Sequence, residues 1–129
     1  MIAVDTNVLV RAIVGDDPEQ GAAARRWMTA HQAAGILVDH IVLVELVWVL
    51  RARYRVERAA IVRALEALLD GASLVIPEET LVREAVTRYA AGRGDFADHL
   101  IRARGESRGA SPLATLDEEL HGLRGFAKV

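Results

Sequence analysis

Asp5, Glu45, Asp95, Asp98 and Asp117 are the residues whose type and setting point to chemistry in this 129-residue chain. Asp5 directly follows the apolar run Ile2-Ala3-Val4, and Asp117 closely follows Leu113-Ala114-Thr115. In an open α/β sheet the carboxyl ends of the strands carry the crevice where ligands sit. Glu45 is the one charged residue between His40 and Arg51. Burying a lone carboxylate costs several kcal/mol unless it is paired or bound to metal, so an acid inside an apolar helix calls for a partner or an open face. Asp95 and Asp98 are three apart and share one face at the start of a helix, where free amides favour negative charge.

Each acid also has a structural role open to it. Asp5 suits a turn or cap, Asp95 an N-cap with Asp98 as its reciprocal acid, and Asp117 the cap of a short helix carrying Glu118 and Glu119. Together the acids suit a hard divalent cation, which prefers oxygen ligands and keeps waters that bridge to phosphate. A metal beside a phosphodiester activates water and neutralises charge growing on the phosphate. Whether one ion or two would bind is left open by the residues.

The elements that must position these acids read as strands alternating with helices. Short apolar strands are expected at Ile2–Val4, Ile36–Val38, Leu74–Ile76 and Leu113–Thr115, with a brief fifth at Phe126–Val129. Thr6 or Asn7 is expected to cap a first helix through Ile13, and Pro18 to open a second running to about Gln32. Further helices are expected over His40–Arg53, Val56–Leu69, Pro77–Ala91 and from Asp95 to about Gly105. Ile41 to Leu50, apolar except at Glu45, reads as a helix buried on all sides. The alternation predicts an α/β domain with a parallel sheet covered on both faces.

Composition narrows the function classes. The length fits one domain spanning residues 1–129, and 52% hydrophobic residues supply a core. Cysteine is absent, which excludes disulfides, a thiolate nucleophile and a Cys-based zinc site. The start Met-Ile-Ala-Val-Asp does not read as a signal peptide, and the apolar runs beside Glu45 are too short to span a bilayer, so a cytoplasmic protein without membrane association is expected. A net charge of -2 argues mildly against a non-specific DNA binder. Arginine nonetheless accounts for fifteen of the sixteen basic residues, Lys128 being the other. Guanidinium groups pair well with phosphate. Arg102, Arg104 and Arg108 follow Asp98 and are expected to contact a nucleic-acid backbone, with a solvated face or salt bridges, for instance to Glu106, as the competing reading.

Four segments in this order resemble those of the PIN-domain ribonucleases, and among them the VapC-type toxins of toxin–antitoxin pairs. They are Met1–Leu9, Val44-Glu45-Leu46, Asp95–Ile101 and Ala114–Asp117. The resemblance spans essentially the whole chain. It implies a three-layer α/β/α domain with a mainly parallel sheet of four or five strands. It implies an Mg²⁺-dependent endoribonuclease, with Mn²⁺ as a substitute, whose catalytic and metal-binding acids are Asp5, Glu45, Asp98 and Asp117, with Asp95 as an additional acid. Thr6, Asn7 and Thr115 would shape the site. The implied partners are the RNA substrate, an antitoxin whose C-terminal segment enters the groove, and a second copy in a homodimer.

Departures and alternatives remain. Many relatives carry a small hydroxyl residue where this chain has Asp39-His40, which either adds a group near the metal or caps a helix. The implied mechanism needs no histidine, so His40 and His99 read as structural or solvent-facing. The same acids would serve a structure-specific DNA nuclease, or persist in a catalytically inactive protein-binding module. A receiver-type or phosphatase fold fits poorly: Asn7 stands where a second Asp would be needed, and Lys128 is too near the end to serve. No Gly-rich turn follows the first strand, as a dinucleotide-binding module would require.

Overall fold

The computed structural model describes residues 1–129 and shows an α/β protein of parallel strands and flanking helices. The chain divides into two compact units, Met1–Pro77 and Glu78–Val129.

The first unit runs β1 (Ile2–Ala3), α1 (Thr6–Val14), α2 (Pro18–His31), β2 (Ile36–Leu37), α3 (His40–Ala52), α4 (Arg58–Asp70) and β3 (Leu74–Val75). The three strands form a parallel sheet in the order β1-β2-β3, with Ile2 opposite Ile36 and Ile36 opposite Leu74. Pairing continues past the strand ends, where Val4 N–H donates to Leu37 C=O and Val38 N–H to Val75 C=O. The apolar runs Ile2–Val4 and Ile36–Val38 extend one residue past their strands, and these bonds account for the difference. Parallel strands need crossover connections, and the helices between them supply these. α1 packs against both α2 and α3, and α3 against α4. Leu9, Ile36, Val38, Leu43, Leu46 and Ile61 are almost completely removed from water. At about 25 cal/mol per Å² of apolar surface buried, such residues dominate the stability of the unit.

The turns follow from local chemistry. Asp17 caps α2 by accepting from Gln20 N–H, with Pro18 at the first helical position. Gly15 ends α1 at φ +70°, a left-handed conformation that a Cβ would disfavour.

The second unit runs α5 (Glu79–Ala90), α6 (Phe96–Ser107), β4 (Leu113–Thr115) and β5 (Phe126–Lys128), with a single 3₁₀ turn at Glu118–Leu120. β4 and β5 pair in parallel, Leu113 opposite Phe126 and Thr115 opposite Lys128. α5 packs along α6, and α6 against β4. α5 begins two residues later than Pro77 suggested, because Glu78 takes up a left-handed conformation at φ +50°. The five expected strands are all present, but they form a three-stranded and a two-stranded sheet instead of one continuous ladder. No helix is long and apolar enough to cross a membrane.

Candidate active site

In the first unit Asp5 is the N-cap of α1. Its backbone is extended, and its Oδ1 accepts from Val8 N–H at 3.2 Å. Thr6 and Asn7, expected as caps, are instead the first two helical residues, and Thr6 is buried. Asp39 caps α3 in the same way, accepting from Ile41 N–H at 2.8 Å. Its carboxylate thus has the structural role of the two left open for it. The neighbouring His40 is buried and hydrogen-bonds Pro77 C=O at 2.6 Å through Nε2. A carbonyl only accepts, so Nε2 carries the hydrogen.

Glu45 overturns the expectation of a helix buried on all sides. It is exposed, and so are Ile41 and Trp48, at 66% and 64%. Positions 41, 45 and 48 share one face at helical spacing, while Leu43, Leu46, Val47 and Leu50 form the buried side. The apolar open face disguised the amphipathic character of α3, because only the acid within it was polar. Glu45 therefore needs no buried partner; its carboxylate is in water.

In the second unit Asp95 and Asp98 form a capping box at the start of α6. Asp98 Oδ2 accepts from Asp95 N–H at 2.9 Å, and Asp95 accepts reciprocally from the backbone of Asp98. Both acids therefore have the structural work that the sequence left open to them. Asp117 caps the 3₁₀ turn, its Oδ1 accepting from Glu119 N–H at 3.0 Å, while its own N–H donates to Thr115 Oγ1 at 3.0 Å. Thr115 thus orients the backbone that carries the acid.

The arginines separate sharply. Arg108 is exposed and Arg104 half-buried. Arg102 is only 2% exposed, and its guanidinium spans Glu84 on α5 at 2.6 Å and Glu106 on α6 at 2.8 Å. The expectation that Arg102 touches RNA is therefore corrected: its donors face inward to two carboxylates. Its Nε has no partner. The amphipathic face of α6 placed Arg102 among Phe96, His99, Leu100 and Ala103 on the buried side. His99 is also buried, with Nε2–H donating to Arg93 C=O at 2.7 Å and the ring edge-on to Phe126. Burial first, then the positive charges of Arg88 and Arg102, hold its pKa below the ordinary value; the hydrogen bond to Arg93 and Asp98 oppose this.

The residues 2–125 match the PIN domain family. The chain belongs to that family. The PIN domain is also similar to a VapC ribonuclease of Aquifex aeolicus (strain VF5), 25% identical over 130 residues, covering 100% of this chain and 96% of the relative. No solved structure matches significantly.

The donor chemistry of this PIN domain suits a hard cation. Asp5, Asp98 and Asp117 each commit one carboxylate oxygen to a backbone N–H, which fixes the group and leaves the second oxygen available. Within neither unit do three His, Asp or Glu side chains converge as a closed cage. Mg²⁺ ordinarily takes one or two protein carboxylates and completes its shell with water and substrate oxygen. Sequence reasoning missed Arg93 and His121, whose hydrogen bonds lie between the Asp98 and Asp117 segments; only the Gly92-Arg93-Gly94 break hinted at a built turn.

Proposed function

We propose that this PIN domain, taken as one domain over residues 1–129, is a metal-dependent endoribonuclease that hydrolyses RNA phosphodiester bonds, and that it acts as the toxin of a toxin–antitoxin pair. The observation that carries this reading is the family match over residues 2–125 together with the retention of Asp5, Glu45, Asp98 and Asp117. The likeness to a VapC ribonuclease supports the RNA substrate.

Asp5, Glu45, Asp98 and Asp117 would hold Mg²⁺, or Mn²⁺ in its place, with Asp95 beside them. Bound there, the ion supplies a Lewis acid for the phosphate and a more acidic water. The protein's own part is preorganisation. Three of the carboxylates are caps, so helix geometry sets their direction before any ligand arrives. The α1 and α6 N-termini present partial positive charge to Asp5 and Asp98. Glu45 projects from the open face of α3 without a competing partner. Arg104 and Arg108 are the guanidiniums left to steer phosphate.

The exposed apolar surface supports the partners. Ile41 and Trp48 expose large side chains on the face that carries Glu45. A groove of about 660 Å³, lined by Val8, Arg11, Ala23, Ala24, Trp27 and Arg53 among others, runs beside α1 and α2. These surfaces suit a second copy and an antitoxin segment docking by its apolar face. We place the protein in the cytoplasm, where its RNA substrate would be met.

The test is to incubate antitoxin-free protein with a cellular RNA pool, with Mg²⁺ or Mn²⁺ and with EDTA, beside Asp98→Asn. Discrete new RNA ends that require metal and vanish in the variant are expected. Folded, metal-loaded protein that leaves every RNA intact would instead favour an inactive binding module.

A further inference from the structure

The turn between α5 and α6 is tied to the turn after β4 by a series of three hydrogen bonds. His121 Nε2–H donates to Thr115 C=O at 3.3 Å. Arg93 Nη2 donates to His121 C=O at 2.9 Å. His99 Nε2–H donates to Arg93 C=O at 2.7 Å. The series starts two residues before Asp117 and ends one residue after Asp98. Each end is bonded to its acid's segment: Thr115 Oγ1 accepts from Asp117 N–H, and Asp98 Oδ2 closes the box on Asp95 N–H.

Packing seals the same connection. Gly94 lies at φ +77°, and a Cβ there would come within 2.5 Å of Leu120 Cδ2 and 3.3 Å of His99 Nε2. Gly94 and Leu120 are both buried, so the two turns touch with no room for another side chain. The His99 ring meets Phe126 edge-on at 5.8 Å, and β5 pairs back onto β4. Arg93 itself is exposed. Its guanidinium is far more than the core requires, since a loop at the surface obtains the same bond from water. What the bond adds is a further tie between two acid-bearing turns.

We infer that Arg93, through its hydrogen bonds to His121 and His99, is a positioning residue that sets the separation of Asp98 and Asp117 for metal binding. The inference rests on the reading of these acids as metal ligands. Ligands are oriented by the groups that hydrogen-bond them and their segments, and loss of such support typically weakens metal binding 10–100-fold. Arg93 reaches the Asp117 segment only through His121 and Thr115, so about tenfold, the lower end of that range, is expected.

The experiment uses Mn²⁺ alone, titrated by electron paramagnetic resonance into the RNA-free protein, with a urea melt on each variant. Arg93→Ala is expected to stay folded and to weaken Mn²⁺ binding about tenfold. Arg93→Lys, which keeps a cationic donor, is expected to recover part of the loss. Arg83→Ala, which removes an exposed α5 pair with Glu79, is the control for stability and is expected to bind Mn²⁺ as the unaltered protein does. If Asp98→Asn abolishes binding while Arg93→Ala does not weaken it, the positioning role is overturned and the metal site stands. Equal losses in Arg93→Ala and Arg83→Ala also overturn it, in favour of general loosening. If Asp98→Asn leaves Mn²⁺ affinity unchanged, the metal reading itself fails.

Discussion

Arg102 reaches Glu84 across the α5–α6 contact at 2.6 Å, with its own side chain 1% exposed and that of Glu84 42% exposed. The pair is asymmetric: the cation is out of water, while the anion is not. Removing one partner of a buried pair costs about 3–5 kcal/mol when the survivor is left uncompensated. Arg102→Ala leaves two carboxylates that can hydrate, so the loss should fall at or below the low end, about 2–3 kcal/mol, part of it lost packing. Glu84→Ala leaves the buried guanidinium with Glu106 alone. Urea melts of both variants check this, and unchanged midpoints would refute it.

RNA affinity should divide the same arginines differently. Arg104→Ala and Arg108→Ala are each expected to weaken RNA binding across sequences and to flatten its dependence on salt by about one phosphate contact. Arg102→Met, where it folds, should leave that salt dependence as it was. Fluorescence titration of a labelled RNA at several salt concentrations measures the slopes, and a reduced slope in Arg102→Met would return Arg102 to the RNA interface.

Glu45→Gln separates catalysis from folding. Glu45 is exposed, and substitutions at such sites usually change stability by no more than about 0.5 kcal/mol. Cleavage should nevertheless fall by at least about a hundredfold, the most that losing a supporting partner of a metal ligand costs. Asp98→Asn should behave similarly, since the amide oxygen can still accept from Asp95 N–H and keep the cap. RNA cleavage rates set beside thermal melts decide; a variant with full activity removes that acid from the site.

His99 gives stability a pH dependence. Its folded pKa lies below the ordinary 6.5, with burial the largest cause. Unfolding therefore takes up a proton wherever pH lies between the folded value and 6.5, and stability rises with pH across that window. The contribution is complete above 6.5 and is lost as pH falls below it toward the folded value. His99→Gln, which retains a donor for Arg93 C=O, should flatten that acid limb. Urea midpoints from pH 7 downward test it, and an identical limb in the variant would assign the effect elsewhere.

The amino-acid sequence determined the elements and where the acids fall along them. Strand positions followed from short apolar runs, and helix starts from Asp17-Pro18 and Asp95, because capping and strand burial are local rules that a few neighbouring residues satisfy. The acids, too, were legible by position, three segments of them as caps and Glu45 as the one acid in an apolar helix. Tertiary structure decided direction. Whether α3 turns Ile41, Glu45 and Trp48 to water depends on which of its faces meets α1 and α4, and an almost wholly apolar helix does not encode that choice in its periodicity. Whether Arg102 points at RNA or at Glu84 depends on α5, eighteen residues away. The bonds that link Thr115, His121, Arg93 and His99 join turns distant in sequence, and arise only once β5 has paired with β4 and Leu120 has closed on Gly94.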